Sequence, residues 1–245
     1  MAPRRHLTRH DMKEDEIVSW LSRAGLWVEE NARMVLIGAG CLAILAALVA
    51  GGFWWRSSQR EAAFAALATI QRLASAPLIG EPGAVAESAA TVDERASKTV
   101  DAADEMLKRF PSGTAGGWAR YARAGALLEL RRLDAASTEA LAVADTAGPS
   151  SLLGGLATVM AGRAEEARGN LQRAVELYEQ AAASTDTSFP TEVALLDQAR
   201  CQRAMGESQA ATNTYQKILD VYPDSPMAEK ANRMLRELRE GSGGT

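Results

Sequence analysis

The sequence predicts an all-α protein in which a single N-terminal transmembrane helix precedes an α-solenoid of degenerate helical repeats. Three observations lead to this fold class. Alanine is frequent and runs of β-branched residues are scarce, which favours helix over strand. An uncharged apolar run of 22 residues occupies positions 34–55. Beyond it, a helical pattern returns at intervals of 37 and 38 residues, and such repeats indicate a solenoid.

The apolar run at residues 34–55 lies between Arg33 and Arg56 and contains no charge. As a helix it would be about 33 Å long, enough to cross a hydrocarbon core of about 30 Å. Trp54 and Trp55 lie at its far end, where membrane helices carry aromatic residues. The run is too long for a cleaved signal peptide, and the rest of the chain is too short and polar to bury it. We therefore expect a signal anchor that stays in the membrane.

The segments before the run predict a polar, disordered cytoplasmic tail at residues 1–15 and an amphipathic juxtamembrane helix at residues 16–33. An apolar stripe at helical spacing supports the helix, and it consists of Ile17, Trp20, Leu21, Ala24 and Val28. Tryptophans in this segment suit a membrane interface. A simple continuation of the membrane helix explains the same pattern, and both interpretations stay open.

The positive charges around the run predict its orientation. Six Lys and Arg residues precede it, and three follow within about 20 residues of its end. The former are Arg4, Arg5, Arg9, Lys13, Arg23 and Arg33, and the latter are Arg56, Arg60 and Arg72. Because positive residues stay in the cytoplasm, we expect a cytoplasmic N-terminus and a C-terminal part outside, in the periplasm if the cell has two membranes.

Charge and residue types exclude several classes of function. From Ser57 onward there are 20 Lys and Arg against 25 Asp and Glu, a net charge of −5, which argues against nucleic acid as a partner. Both histidines, His6 and His10, lie in the N-terminal tail, so the soluble part has no histidine for a catalytic triad or a zinc site. Cys41 and Cys201 are too far apart in the chain to suggest a pair. We expect no enzyme, cofactor, metal or small-molecule substrate.

Two small clusters carry weaker alternatives. His6 and His10 are four residues apart and would bind a metal if helical, although a disordered tail is the simpler interpretation. Glu165 and Glu166 would form an acid/base pair, or they lie on a solvated helix face, which is what we expect. Small residues spaced by four in the run, such as Ala43 and Ala47, suit packing against another membrane helix, but abundant alanine explains them equally well.

The part after the run divides into a helical stalk and linker at residues 56–91 and a repeat domain at residues 92–240, with a flexible tail at residues 241–245. Prolines and glycines between positions 77 and 90 predict a break after the stalk. Three segments then align, at residues 117–145, 155–183 and 192–223. Their inter-helix turns fall at Arg131, Gly169 and Gly206, and their small packing residues at Ala136, Ala174 and Ala211. Thr99 occupies the matching position 37 residues before Ala136, and a capping helix follows Pro226.

The segment GNLQRAVELYEQA resembles the second helix of a tetratricopeptide repeat (TPR). Gly169, Ala174, Tyr178 and Ala181 match the turn, small, aromatic and small positions of that motif. Gly206, Ala211, Tyr215 and Pro223 match the turn, small, aromatic and proline positions of the next repeat, with Ile218 in place of the usual alanine. The first repeat is degenerate, with Arg131 at the turn and Ala140 at the aromatic position.

The order of one membrane helix, a stalk and a degenerate TPR array resembles the bacterial TPR-like family of the ancillary Sec translocon subunit. The resemblance covers roughly residues 12–240. It implies an inner-membrane protein whose periplasmic repeat domain contacts the translocon and periplasmic chaperones. The alternative is a structural TPR subunit of another envelope complex, such as the cell-division or outer-membrane assembly machinery.

The inner face of the first helices of the repeats is the candidate protein-binding surface. By motif position it consists of Trp118, Tyr121, Leu128, Leu156, Val159, Arg163, Leu196, Arg200 and Arg203. Arg163 and Arg200 hold the same position 37 residues apart, so they would line one groove and bind peptide carboxylates, or be ordinary exposed arginines. Trp118 and Tyr121 would anchor a peptide if exposed, or would seal the repeat core.

Overall fold

The computed structural model describes Trp27, residues 29–84 and residues 88–242, and these residues form nine α-helices and no strand. The helices are α1 (Ala32–Ala74), α2 (Val92–Arg109), α3 (Gly113–Glu129), α4 (Leu133–Ala147), α5 (Leu152–Ala167), α6 (Leu171–Ala182), α7 (Thr191–Ala204), α8 (Ser208–Val221) and α9 (Pro226–Ser242). The predicted all-α class is confirmed. The predicted tail at residues 1–15, with His6 and His10, and most of the predicted amphipathic helix at residues 16–33 lie outside the described residues.

The chain divides into two units, Met1–Gln59 and Arg60–Thr245. In the first unit, α1 contains the apolar run at residues 34–55, and the large apolar side chains there are exposed. Leu36 is 72% exposed and Trp54 is 74% exposed. Among the residues that the structure describes, α1 is the one helix long and apolar enough to cross a membrane, by length and composition. A candidate membrane-spanning helix near the N-terminus is therefore present.

The second unit begins with the last turns of α1, which pack on α2. Ala63, Leu67 and Ile70 of α1 form one core cluster with Ala103 and Met106 of α2. The predicted break between these helices is present, since residues 76–78 and 84 carry no regular structure and turns lie between them. Thr91 begins α2, and its hydroxyl accepts a hydrogen bond from the backbone N–H of Glu94 at 3.1 Å.

From α2 onward each helix contacts the next one along the chain, and α3 also contacts α5, as α7 contacts α9. The helices therefore form pairs, α3 with α4, α5 with α6 and α7 with α8, and ion pairs made by Arg163 and Arg200 join the first helices α5 and α7. The final helix α9 starts where it is predicted, at Pro226. The hydroxyl of Ser225 accepts a hydrogen bond from the backbone N–H of Met227, so Ser225 is its cap.

The turns inside the three pairs share one backbone geometry. Arg131, Gly169 and Gly206 all have positive φ, at 59°, 86° and 82°. In each turn the N–H of the following residue donates to a carbonyl five residues earlier, at 2.9 Å, and the bonds are Arg132 to Leu127, Asn170 to Glu165 and Glu207 to Gln202. This is the Schellman arrangement that ends helices at a left-handed residue. The predicted positions of the turns are confirmed.

Small residues let the two helices of each pair approach closely. Ala136, Ala174 and Ala211 are fully buried, as predicted. Tyr178 is fully buried as well, and its ring lies over Gly162 of α5, where an added Cβ would fall 2.6 Å from the tyrosine Cε1. Glycine at position 162 is therefore a packing requirement of the aromatic side chain.

The first pair fills the same space in another way. Ala140 stands at the aromatic position, and it is fully buried. It forms a cluster with Ala124, Ala161 and Leu177, of which Leu177 comes from α6 in the next pair. A leucine from the neighbouring pair thus packs where the first pair has no aromatic side chain of its own.

We expect Gly169→Ala to lower the free energy of unfolding by about 1 kcal/mol, because a Cβ is disfavoured at φ 86°. Arg131→Gly is the matched reverse change, since Arg131 already bears that strain at φ 59°. It should leave stability unchanged or raise it by less than about 1 kcal/mol, because the relief of strain is offset by the entropy of an added glycine. Urea unfolding of both variants followed by circular dichroism measures the two effects. Equal losses of stability for both variants would contradict the common turn geometry.

Candidate protein-binding surface

The nine predicted surface residues lie on the first helices of the three pairs: Trp118, Tyr121 and Leu128 on α3, Leu156, Val159 and Arg163 on α5, and Leu196, Arg200 and Arg203 on α7. Val159 is 5% exposed, because it packs in the core cluster around Tyr178 and Phe189. Its side chain therefore does not reach the surface. Leu128, Leu156 and Leu196 are half-buried and also pack against core clusters.

The three arginines form ion pairs within the chain. Arg163 binds Asp197 through Nη2 at 3.0 Å, Arg200 binds Glu166 through Nη2 at 2.8 Å, and Arg203 binds Glu237 through Nη1 at 3.0 Å. Each pair joins residues 34 positions apart on neighbouring first helices, α5 to α7 or α7 to α9. We call these six residues the ion-pair ladder. Its arginines are neither unpaired carboxylate receptors nor ordinary free surface charges, because a peptide carboxylate would have to displace a resident one.

The ladder is tied to the core through Tyr178. The phenol of Tyr178 donates a hydrogen bond to Glu166 Oε2 at 3.0 Å. Burial, with the negative charges of Asp197 and Glu166 nearby, raises the pKa of Tyr178, so the phenol remains a donor. Burial also raises the pKa of the neighbouring Cys201 to about 12, with help from Glu166, so this thiol is held in its protonated form.

Glu165 has a different environment from its neighbour Glu166. It is 6% exposed and accepts hydrogen bonds from Ser137 of α4, from Asn170 at 2.8 Å and from Arg168 at 2.9 Å. Burial by itself raises the pKa of Glu165, but these donors outweigh it and hold the pKa below its ordinary value. The expectation that Glu165 and Glu166 lie on a solvated face is wrong, since one joins three helices and the other belongs to the ion-pair ladder.

Trp118 and Tyr121 line an open cleft of about 320 Å³ on the inner face of α3. Their rings meet edge to face, with centroids 5.8 Å apart and an interplanar angle of 86°. Both side chains are half-buried, and Trp118 also packs against the core cluster that contains Ala103 and Met106. Burial raises the pKa of the Tyr121 phenol, against the opposing charge of Arg163.

The other walls of the cleft come from residues that sequence reasoning missed. The end of α1 supplies Gln71, Ala74 and Ser75, while α2 supplies Thr99 and α5 supplies Met160. The rest of the lining comes from α3 and consists of Ala122, Gly125, Ala126 and Glu129. Only Thr99 carried a sequence signal, as the residue in register with Ala136, and that signal pointed to packing. We call the space that these residues and the aromatic pair enclose the α3 cleft.

Comparison with models of known protein families gives no match for the chain, and comparison with curated proteins gives none. In the part of the chain that the structure describes, no group of three or more His, Cys, Asp or Glu side chains is placed to hold a metal ion. Three features of the described residues bear on the function of the protein: the ion-pair ladder, the α3 cleft and the candidate membrane span.

The buried carboxylate predicts a pH dependence of stability. Because the folded pKa of Glu165 is depressed, its contribution to stability is fully present above the unfolded pKa of about 4.3 and is lost as the pH falls from there through the lower folded pKa. We expect Glu165→Gln to lower the free energy of unfolding by about 1–3 kcal/mol at pH 7 and by less at pH 3. Urea unfolding at both pH values measures this. Glu176→Gln is the control, since Glu176 is a half-exposed carboxylate with one surface ion pair, and an equal effect of the two changes would contradict the assigned role.

Proposed function

We propose that this protein is a non-catalytic, membrane-anchored TPR-like protein that binds other proteins through its helical repeats. The observation that carries the proposal is the pair Trp118 and Tyr121, which present half-buried aromatic faces in the α3 cleft. Aromatic residues held by a rigid scaffold are the side chains that dominate protein–protein contacts. The candidate membrane span in α1 would keep this surface at a membrane.

The TPR-like assignment is supported by the register of the pairs. Three turns with the same left-handed geometry recur 38 and 37 residues apart, at Arg131, Gly169 and Gly206. Buried small residues recur in the same register, and Tyr178 and Tyr215 fill the aromatic positions of the second and third pairs. Helical pairs that contact their neighbours in sequence order suit a scaffold with an extended binding face.

The proposed location is the inner membrane, with the N-terminus in the cytoplasm and the unit Arg60–Thr245 in the periplasm. Its support is the excess of positive residues before the span and the exposed apolar surface of α1. The resemblance to the ancillary Sec translocon family makes translocon subunits and periplasmic chaperones the proposed partners. Many unrelated proteins share a scaffold of this kind, so the partners are to be identified by crosslinking.

Site-specific photo-crosslinking in intact cells tests the proposed function. A photoreactive residue at position 118 should give adducts with translocon subunits, exported chains or their chaperones, identified by mass spectrometry. Position 135 is the matched control, because Ala135 is exposed on α4 and does not line the α3 cleft. Adducts that are no more abundant from position 118 than from position 135 would overturn the binding role. One stoichiometric adduct with another envelope complex would instead identify a structural subunit.

Protease accessibility tests the proposed topology. In cells with a permeabilised outer envelope, protease should remove an epitope placed after residue 245, while an N-terminal epitope stays protected until the inner membrane is lysed. The positive charges that precede residue 34 are the physical reason for this outcome. Protection of the C-terminal epitope and loss of the N-terminal one would reverse the orientation.

A further inference from the structure

The α3 cleft has an exposed rim and a buried floor. Gln71, Ala74 and Ser75 at the end of α1 are exposed, as is Glu129 at the end of α3. Thr99 is 1% exposed beneath them. The volume of the α3 cleft, about 320 Å³, lies at the lower end of the range of about 300–1,000 Å³ for ligand sites. The cleft therefore accepts a group from solvent, and its size suits a few side-chain atoms better than a folded surface.

Three polar side chains of the cleft, those of Ser75, Thr99 and Glu129, are already paired within the chain. The hydroxyl of Thr99 donates to the carbonyl of Arg95 at 2.9 Å, and the hydroxyl of Ser75 donates to the carbonyl of Gln71 at 2.9 Å. Glu129, the one charged residue in the described lining, forms an ion pair with Arg95 at 3.5 Å. A charged ligand would lose hydration on entering the cleft, and the one charge in its described lining, on Glu129, is already paired with Arg95.

The charges farther along the inner face are occupied as well. Arg163, Arg200 and Arg203 are bound in the ion-pair ladder on α5, α7 and α9. At the position that holds Arg163 and Arg200 in the later pairs, the first pair has Gly125, and Gly125 lines the α3 cleft. The ion-pair ladder therefore does not extend to the first pair, where the α3 cleft lies in its place.

We propose that the α3 cleft binds a large uncharged apolar side chain of an extended polypeptide segment. This inference rests on the proposed function and names the chemistry of its partner. The walls supply two aromatic rings and the side chains of Ala122 and Met160. A polypeptide is the occupant that fits both the α3 cleft and the ion-pair ladder. One of its side chains can enter the cleft. Its backbone carries no net charge and can lie along the ladder, whose positive and negative charges neutralise each other.

Met160 makes the cleft tolerant of sequence. Its thioether side chain is flexible, and its Cε faces Gly125, where an added Cβ would lie 3.4 Å away. With glycine at position 125, the flexible methionine side chain packs on the backbone of α3 with no Cβ between them. We expect leucine, methionine and phenylalanine side chains all to bind, because the cleft distinguishes apolar from charged side chains and does not require one residue type.

The test uses the full chain in lipid nanodiscs and fluorescent Gly/Ser decapeptides with a central Leu-Phe, Glu-Glu or Lys-Lys pair. Fluorescence anisotropy, corrected with empty nanodiscs, should show the Leu-Phe peptide binding at least about tenfold more tightly than either charged peptide. Its affinity should not fall as salt rises, because apolar contacts are not screened. Equal or tighter binding of a charged peptide would overturn the proposal.

Two variants fill the cleft from opposite walls, Ala122→Phe on α3 and Ala74→Phe on α1. Each should weaken Leu-Phe peptide binding at least about tenfold, while Ala135→Phe on the exposed face of α4 should not. Circular dichroism checks that the variants stay folded, and the exposed site at Ala74 makes that variant the safer one. Unchanged binding in both folded cleft variants would overturn the proposal.

Two further outcomes separate this proposal from the proposed function. Crosslinks from position 118 in cells, without any preference for the Leu-Phe peptide, would overturn the apolar specificity and leave the binding function standing. Binding of a fluorescent fatty acid that Ala122→Phe abolishes, without peptide binding, would assign the cleft to a lipid chain. Absence of both crosslinks and peptide binding would remove the two proposals together.

Discussion

The close approach of paired helices is the constraint on which the second unit depends. It requires a small residue at one position of the second helix of each pair. The residues there are Ala136, Ala174 and Ala211, and all three are fully buried. Once these contacts fix the spacing, larger groups must fit the space that remains. The ring of Tyr178 fits only because position 162 is a glycine. The small residues therefore determine the spacing of the helices, and the spacing determines where the aromatic side chains fit between them.

Helix spacing also places the polar groups. First helices lie near enough for Arg163 to reach Asp197 and for Arg200 to reach Glu166, so the joints between pairs are closed by ion pairs. Glu165 accepts a buried hydrogen bond from Ser137 of α4 and a partly buried one from Asn170, the residue that caps α6. Exposed ion pairs of this kind contribute up to about 1 kcal/mol each, whereas a buried hydrogen-bonded carboxylate contributes more. Packing and Glu165 therefore contribute more to stability than the ion-pair ladder, whose main effect is to neutralise the charges on that face of the helices.

Much of the fold follows from local sequence, but the site does not. The turns at Gly169 and Gly206, the buried alanines and the apolar run can be predicted because each depends on residues within one helix or one helix pair. The repeat register puts Arg163 and Arg200 at equivalent positions, yet their acidic partners are 34 residues away, and periodicity does not show which charges meet. The α3 cleft draws on α1, α2, α3 and α5, whose mutual positions depend on tertiary packing. Motif position predicts Val159 on the binding face, but it does not measure depth, and the side chain is buried.

Gly125 stands where the later pairs carry Arg163 and Arg200, and the first pair also lacks the aromatic residue at Ala140. The pair that departs most from the repeat is thus the one that encloses a usable space. In a duplicated array, copies held to the common pattern preserve the architecture, and a single divergent copy is free to acquire a new role. In this protein the two later pairs hold the common helix spacing, and the first pair, released from the common pattern at Gly125 and Ala140, would be the one free to bind a partner as proposed above.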